Sequence, residues 1–283
     1  MKSTKKIISI DKLHPFENHP YKVQDNEEME VLAESIKEHG IVSPVIVRPL
    51  ENTIDEYEII SGHRRVMASR KAGITEVPAL IVSLDRDAAA IVLVDSNLHR
   101  EHILPSEKAF AYKMKLDAMK HQGWRSDLTS PQVVAKSRTT EMVGADTGDS
   151  HEQVRRYIRL TNLIPEILQY VDDGRISFTP AVELSYLNEQ EQQDLLEQIE
   201  QSDCTPSLSQ ACRFKKISQG EGLTPEEIAE IMEEEKANQK ERVKIPTEKL
   251  RKYFPKNYTV QQIEDEIIRL CEKNYRMKQR DAR

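Results

Sequence analysis

Aromatic residues and long apolar runs are both scarce in this sequence of 283 residues. Phe, Trp and Tyr together make up 5% of the chain, whereas charged residues make up 31%. This composition favours a helix-rich protein with several small cores over one large barrel. No run approaches the roughly 18 consecutive apolar residues of a membrane span, and the N-terminal apolar stretch is too short for a signal peptide. We therefore predict a cytoplasmic protein with no membrane partner.

Cysteine is also scarce, and its spacing excludes the common structural metal sites. The three cysteines, Cys204, Cys212 and Cys271, lie far apart in the sequence and form no paired metal-ligand motif. We interpret them as ordinary reduced thiols, in agreement with a cytoplasmic location. The sequence by itself assigns no catalytic residue and no metal ligand.

An excess of basic charge is confined to the middle of the chain. The net charge of the whole sequence is −7, which by itself argues against nucleic acid as a partner. Residues 98–160, however, carry 11 basic and 8 acidic side chains, while the flanking segments are both acidic. Because local potential rather than total charge steers a polyanion, we expect any contact with DNA in this middle segment.

The spacing of apolar residues divides the chain into three regions. Residues 1–100 alternate strands with helices and are predicted to form a small α/β domain. Residues 101–205 have helical spacing and form an all-helical domain, and residues 206–283 form a helical connector and a C-terminal helix. The predicted fold class is therefore mixed α+β.

Local signals predict several element boundaries. Asp25 and Glu28 have the spacing of a capping box, which predicts that Asp25 begins a helix. The segment 41–48 is rich in β-branched residues, and Pro44 within it indicates a strand at an edge or with a bulge. Segment 226–242 has few apolar residues and is predicted to be a solvated connector helix.

The last helix has an apolar stripe on one face. Its members include Ile263, Ile267 and Leu270, spaced as neighbours on one side of a helix. This stripe either pairs with a second chain or docks on its own domain, and the sequence leaves both possibilities open.

The most informative stretch runs from Glu56 to Val82 and is predicted to form strand, tight turn, helix and strand. Gly62 lies in the turn, and His63, Arg64 and Arg65 stand at the start of the helix. A glycine lets the backbone approach a ligand closely, and the free N–H groups of a helix start favour an anion. Two guanidinium groups add positive charge, so the pattern predicts a phosphate site.

A helix–turn–helix is predicted further along the chain. Gly144 is the small residue where two helices cross, Gly148 lies in the turn, and Val154 packs back from the second helix. Ser150 is a good N-cap for that second helix. The candidate DNA-binding residues are Ser150, His151, Gln153, Arg155, Arg156 and Arg159. Arginine and glutamine make bidentate contacts to base edges, and the other cations suit phosphates.

Two short sequences, together with the helix–turn–helix, carry a family resemblance. Residues 62–68 read GHRRVMA, and residues 96–109 read SNLHREHILPSEKA. In order and spacing they resemble the GERRxRA and ENxxRxxLxPxEEA boxes of the ParB partition family, over roughly residues 7–200. The resemblance implies a ParB-like N-terminal domain and a DNA-binding domain, in a plasmid or mobile-element type of partition protein.

The resemblance further implies a nucleotide and several partners. Family members bind CTP with Mg²⁺, and nucleotide with double-stranded DNA closes a homodimer into a clamp. By position, the nucleotide-binding residues are Gly62, His63, Arg64, Arg65, Asn97 and Arg100. A ParA-type ATPase is an implied partner, and the implied location is cytoplasmic, on the nucleoid or a plasmid. CTP hydrolysis stays open.

Three departures from the family pattern bear on these expectations. His63 replaces a glutamate, and it either contacts a phosphate and titrates near neutral pH or is an ordinary surface histidine. Ser96 replaces a glutamate expected to help hold Mg²⁺, and serine is a poorer ligand for this ion. Asp95 could compensate, but its side chain is expected to point elsewhere. The N-terminal tail lacks the family's Leu/Gly/Arg motif.

Two other functions remain as alternatives. The first is a transcription regulator on the same scaffold. The second is an enzyme, because the ParB-like N-terminal fold is similar to sulfiredoxin and to some small-molecule kinases. Residues 1–203 contain no cysteine, which argues against sulfiredoxin chemistry. A kinase would need a carboxylate base such as Glu101, and it would leave the helix–turn–helix without a role.

Overall fold

The computed structural model describes residues 3–98, 100, 102–121, 140, 142–144, 147–220, 222–234, 252–255 and 258–281. By packing, the chain forms two compact units, residues 1–233 and residues 234–283. The three cysteines are free and exposed. No helix within the described ranges is both long enough and apolar enough to cross a membrane.

A mixed five-stranded sheet forms the N-terminal part, with the strand order β1-β5-β3-β4-β2. Strand β3 pairs in parallel with β5 and antiparallel with β4. Valine, isoleucine and alanine side chains of β3, β4 and β5 form the core on one face. The strands are β1 Ser3–Ser9, β2 Leu13–His14, β3 Val45–Pro49, β4 Tyr57–Ser61 and β5 Glu76–Val82.

The strand predicted at residues 41–48 is present, but its first residue and its place in the sheet differ from the prediction. It begins after the proline, because proline cannot donate a backbone hydrogen bond to a neighbouring strand. It is a central strand, so the predicted edge position is wrong. The alternative expectation of a bulge is confirmed, since the register of β3 against β4 shifts between Ile46 and Val47.

Three helices pack around the sheet, namely α1 Glu27–His39, α2 His63–Lys71 and α3 Arg86–Asn97. The predicted capping box at Asp25 is wrong by one residue. Asn26 is the N-cap, and its side chain accepts a hydrogen bond from the backbone N–H of Met29 at 3.2 Å. Asp25 instead forms an ion pair with Lys71, so its carboxylate is engaged outside the helix start.

The helical part begins with α4, which starts at Pro105, a residue type that suits the first turn of a helix. Its members are α4 Pro105–His121, α5 His151–Leu160, α6 Pro165–Asp172, α7 Phe178–Leu184 and α8 Glu189–Ser202. Before α5, residues 142–144 are helical, and they belong to the segment predicted as the first helix of the helix–turn–helix. Residues 125–137, whose polar sequence predicts a loop or a short helix, lie outside the described residues.

Two more helices, α9 Leu208–Ser218 and α10 Pro225–Glu233, complete the core of the helical part. Phe214, Ile228 and Ile231 are buried with residues of α6, α7 and α8. The expectation of a solvated connector is therefore wrong for residues 226–233, because Ile228 and Ile231 lie one turn apart and face the core. The core is continuous across the predicted boundary at residue 205.

The second unit contains the helix α11, Val260–Asp281. Ile263 is buried, whereas Leu270 and Met277 are half exposed. At 22 residues the helix is long enough to present several turns of the predicted stripe.

Candidate nucleotide and nucleic-acid sites

The turn between β4 and α2 requires glycine. Gly62 has φ 107°, a backbone conformation that other residues rarely adopt. A Cβ atom at this position would lie 2.8 Å from Cγ1 of Val45. No side chain caps the start of α2 within the described residues, so the N–H groups of its first turn are available to an anion.

Arg64 and Arg65 follow this turn and differ in their surroundings. Arg64 lies at the surface, where its Nη2 donates to Oε2 of Glu28 at 3.0 Å. Arg65 is half buried and donates to the backbone carbonyls of Ser43 and Pro44, the latter at 2.9 Å. Burial lowers the pKa of Arg65. Because no carboxylate among the described residues pairs with Arg65, its positive charge would be stabilised by a bound anion.

His63 is neither a surface side chain nor a titrating one near neutral pH. The backbone N–H of Phe16 donates to its Nε2 at 3.4 Å, and the His19 ring lies 3.9 Å away between centroids. Burial and then the charge of His19 lower the pKa of His63 to about 3. The expected titration near neutrality is therefore corrected, because a half-buried ring that accepts a hydrogen bond stays neutral.

The second box lies at the end of α3 and reaches the first box through His19. Asn97 donates from Nδ2 to the carbonyl of Leu93 at 2.8 Å, and the N–H of Arg100 donates to the carbonyl of Asn97 at 3.1 Å. Burial lowers the pKa of His19, and the charge of Arg100 lowers it further. Since the His19 ring also contacts the His63 ring, the structure brings Arg100 and the turn to the same loop.

This loop, residues 15–22, is a part of the candidate site that sequence reasoning missed. Phe16 and Tyr21 are buried, and the N–H of Lys22 donates to the carboxylate of Glu107 on α4 at 2.8 Å. Pro15 and Pro20 are the only sequence signal of a rigid loop. A cleft of about 780 Å³ opens beside the loop, against α3 and α4, and the residues that line it do not include Gly62 or the arginines of α2.

The second box does not supply a carboxylate for Mg²⁺. The hydroxyl of Ser96 donates to the carbonyl of Leu93 at 2.9 Å. Asp95 forms an ion pair with Lys115 on α4 at 2.6 Å, so its side chain points away as expected. Among the described residues no group of three or more His, Cys, Asp or Glu side chains is arranged to hold a metal. Glu101, the base of the kinase alternative, lies outside the described residues.

The helix–turn–helix geometry follows the predicted roles of its small residues. A Cβ on Gly144 would lie 2.3 Å from the carbonyl oxygen of Asp149 and 2.9 Å from Cγ2 of Val154, so the crossing requires glycine. Gly148 in the turn has φ 72°. The hydroxyl of Ser150 accepts from the N–H of Gln153 at 3.2 Å and caps α5 as predicted.

The predicted DNA-binding side chains lie on the outer face of α5. His151 and Gln153 are half buried, and Arg155 is exposed with no hydrogen-bond or ion-pair partner in the described part of the chain. Arg156 lies over the Phe178 ring at 5.0 Å and donates to the Thr179 hydroxyl. Residues of α7 therefore hold Arg156 in place, whereas Arg155 has no such contact in the described part of the chain.

A buried polar network holds the turn before α5 against α4. The Tyr112 hydroxyl contacts Oγ1 of Thr147 at 2.6 Å and donates to Asp149. Lys108 pairs with Asp149 at 2.7 Å, and its ammonium lies over the Tyr157 ring. Burial raises the pKa of Tyr112, which keeps this hydroxyl a donor. Because Lys108 belongs to the second box, the same helix contacts both candidate sites.

The fold and these sites define a class of protein, a mixed α+β chain in which a glycine–arginine turn precedes a helix–turn–helix. Models of the ParB N-terminal domain and the ParB HTH domain match residues 1–98 and 132–206. A nucleoid occlusion protein of Listeria innocua is 31% identical over 211 residues, which are 74% of this chain and 67% of that protein. The chain belongs to the ParB family.

Other relatives match a smaller share of their own length. A probable chromosome 1-partitioning protein ParB of Deinococcus radiodurans is 35% identical over 62% of this chain and 53% of its own. The chromosome-partitioning protein Spo0J of Thermus thermophilus is 32% identical over 60% of this chain and 55% of its own. The chain thus spans little more than half the length of these two relatives.

Solved structures of truncated ParB from Caulobacter crescentus are also similar. The complex with the centromeric parS site has 21% identity and a TM-score of 0.42, covering 80% of this chain and 98% of that one. The complex with CTP-gamma-S has 26% identity and a TM-score of 0.33, covering 69% and 98%.

Proposed function

We propose that this chain binds double-stranded DNA through α5 and acts in the partition of a chromosome. The observation that carries the proposal is the outer face of α5, where Arg155 is exposed with no partner among the described residues and the Ser150 cap fixes the helix start. Its family membership supports the same role, since relatives are named for chromosome partition and nucleoid occlusion. Action on a plasmid or mobile element is the narrower proposal that the variant boxes suggest.

The substitution Arg155→Gln tests the DNA-binding face. It removes a cation from an exposed position and keeps a good helix former, so the fold is retained. We expect a loss of about 1–3 kcal/mol in the free energy of DNA binding, measured by fluorescence anisotropy on a labelled duplex containing a parS site. Lys37→Gln on α1 removes the same charge from an exposed position and is the matched control. Equal affinity of Arg155→Gln and the wild type would contradict the proposal.

We further propose that the turn at Gly62 binds the triphosphate of CTP. The close approach at Gly62, the open N–H groups of α2 and the half-buried Arg65 with no carboxylate partner in the described residues support this site. His63 contacts the loop at His19, which also feels the charge of Arg100, and Asn97 accepts a hydrogen bond from the N–H of Arg100. The residues present do not fit a carboxylate-held Mg²⁺ at Ser96, so no step is assigned to the metal.

A homodimer, a ParA-type ATPase partner and a cytoplasmic, nucleoid-associated location belong to the same proposal. They follow from the family resemblance, with residues 1–100 as the nucleotide domain, 101–205 as the DNA-binding domain and 206–283 as the C-terminal region. Light scattering on the purified chain tests the dimer directly, and a monomeric mass at micromolar concentration would contradict it.

A further inference from the structure

The Tyr186 side chain, just after α7, lies between two cations from different helices. The guanidinium carbon of Arg159 on α5 is 3.6 Å from the ring centroid, and Nζ of Lys215 on α9 is 3.7 Å from it. Two like charges that share one aromatic ring repel each other. Glu183 pairs with Lys215 at 2.8 Å, while within the described residues Arg159 donates only to the carbonyl of Ser185 and pairs with no carboxylate. The group therefore retains one uncompensated positive charge.

The Arg159 guanidinium is also incompletely bonded. Its Nε is buried and has no hydrogen-bond partner in the described part of the chain. A buried donor without an acceptor is costly, and an anion beside the group would remove part of that cost. The Tyr186 cluster, defined as Arg159, Tyr186 and Lys215, thus combines a net positive charge with an unused donor.

Helix α9 adds positive charge on the side of Lys215. It carries Arg213, Lys215 and Lys216 and contains no acidic residue. Lys216 is exposed, and no hydrogen bond or ion pair engages it in the described structure. This helix lies after residue 206, where the match to the HTH model ends. It is therefore a basic helix that packs on α7, approaches α5 at the Tyr186 ring and lies outside the recognised motif.

We propose that the Tyr186 cluster and the basic turn of α9 contact the sugar–phosphate backbone of the duplex, beside the stretch that α5 reads. The inference rests on the proposed binding of DNA through α5, because Arg159 belongs to both surfaces. Phosphate contacts from cations fix the register of a DNA-binding protein without reading sequence. The contact from α9 is accordingly independent of base sequence and sensitive to salt.

The substitution Lys215→Gln, with Glu183→Gln as its partner variant, separates a phosphate contact from a structural ion pair. Both variants break the Lys215–Glu183 pair, but only the first removes the cation. Affinity is measured by anisotropy at several salt concentrations, on a parS duplex and on a scrambled duplex of equal length. For Lys215→Gln we expect a slope of log affinity against log salt that is smaller by about 1 on both duplexes. For Glu183→Gln we expect no reduction.

The outcomes distinguish this inference from the proposed function. Equal slopes for Lys215→Gln, Glu183→Gln and the wild type would overturn the contact from α9. An equal loss of DNA affinity in the two variants would also overturn it, because that result would show that the Lys215–Glu183 ion pair has a structural role. Binding that depends on Arg155 but not on Lys215 leaves the proposed function intact. A wild-type chain that binds neither duplex contradicts the proposed function itself.

The exposed cysteines provide a second measurement without any substitution. Cys212 lies one helical turn before Lys215 and Lys216 on α9 and is exposed, as are Cys204 and Cys271. Alkylation of each thiol by iodoacetamide is followed by mass spectrometry with and without saturating duplex. We expect saturating duplex to slow the alkylation of Cys212 at least about three-fold more than it slows the alkylation of Cys204 and Cys271. An equal effect of the duplex on the alkylation rates of all three thiols would overturn the contact.

Discussion

At the scale of single residues, His63 shows how this chain departs from the family box while keeping the turn. A glutamate in the family pattern is replaced by an imidazole that accepts a hydrogen bond from Phe16 and contacts the His19 ring at a tilt. The replacement exchanges a negative charge for a neutral ring at the start of α2. Since an acidic side chain next to a phosphate is repulsive, the exchange is compatible with anion binding.

The low pKa of His63 makes the stability of the N-terminal part depend on pH in a defined direction. The folded pKa is about 3 and the ordinary value is 6.5, so the unfolded chain binds the proton more readily. Stability is therefore fully present above pH 6.5 and is lost as the pH falls toward 3. The loss is at most about 1.4 kcal/mol per pH unit for one proton.

The variant His63→Gln tests this prediction. It keeps an acceptor for the Phe16 N–H but does not titrate, so the fall in unfolding free energy between pH 6.5 and 3 becomes smaller. Urea denaturation at a series of pH values measures the difference, with His39→Asn at an exposed position of α1 as the control. An unchanged dependence on pH in His63→Gln would contradict the assigned environment.

Residues whose role depends on local backbone geometry could be predicted from the sequence. Gly62, Gly144 and Ser150 were assigned by turn and capping rules that need only neighbours in the chain. The loop at Phe16 and His19 could not be found in this way. Its contacts with His63 span more than 40 positions, and no local rule connects residues at that separation.

At the scale of elements, α5 crosses closely over the helical residues before it because Gly144 has no Cβ atom. The contact from Gly144 to the backbone of Asp149 leaves no room for a Cβ, and backbone atoms cannot turn away as a flexible side chain can. Gly144→Ala is therefore expected to destabilise the fold by about 1–3 kcal/mol.

Urea denaturation of Gly144→Ala measures this cost. Gly220→Ala is the matched control, because a Cβ at that position meets its nearest neighbour at an ordinary 3.4 Å. Coincident unfolding curves for Gly144→Ala and the wild type would show that the crossing can widen, and would contradict the geometry.

Predictions of helices are correct where a single local signal is strong. They are wrong where burial against other helices decides the structure. The hydroxyl of Ser150 caps the start of α5 as expected, because serine is a preferred N-cap residue. For the charged segment at α10 the sequence predicts a connector, whereas Ile228 and Ile231 bury one face of the helix. Burial of this kind depends on the partner helices, which composition does not reveal.

At the scale of the whole molecule, α4 connects the two candidate sites within the first unit. Glu107 near its start bonds the loop at Lys22, and Lys108 and Tyr112 bond the turn before α5. Side chains of α4 therefore link the loop beside the nucleotide turn to the turn that precedes the DNA-binding helix. The acidic net charge of the chain does not reveal that α5 and α9 each carry three basic side chains.

The central claim, that one chain combines a triphosphate turn with a duplex reader, is tested most directly by retrieval of genomic DNA fragments with CTP, ATP or no nucleotide. Arg64→Ala and Glu28→Gln break the same ion pair, but only the first removes the guanidinium. We predict that CTP changes the fragments retrieved by the wild type and by Glu28→Gln, and has no effect on Arg64→Ala. Retrieval of no specific fragment, or the same response to CTP in both variants, would contradict the claim.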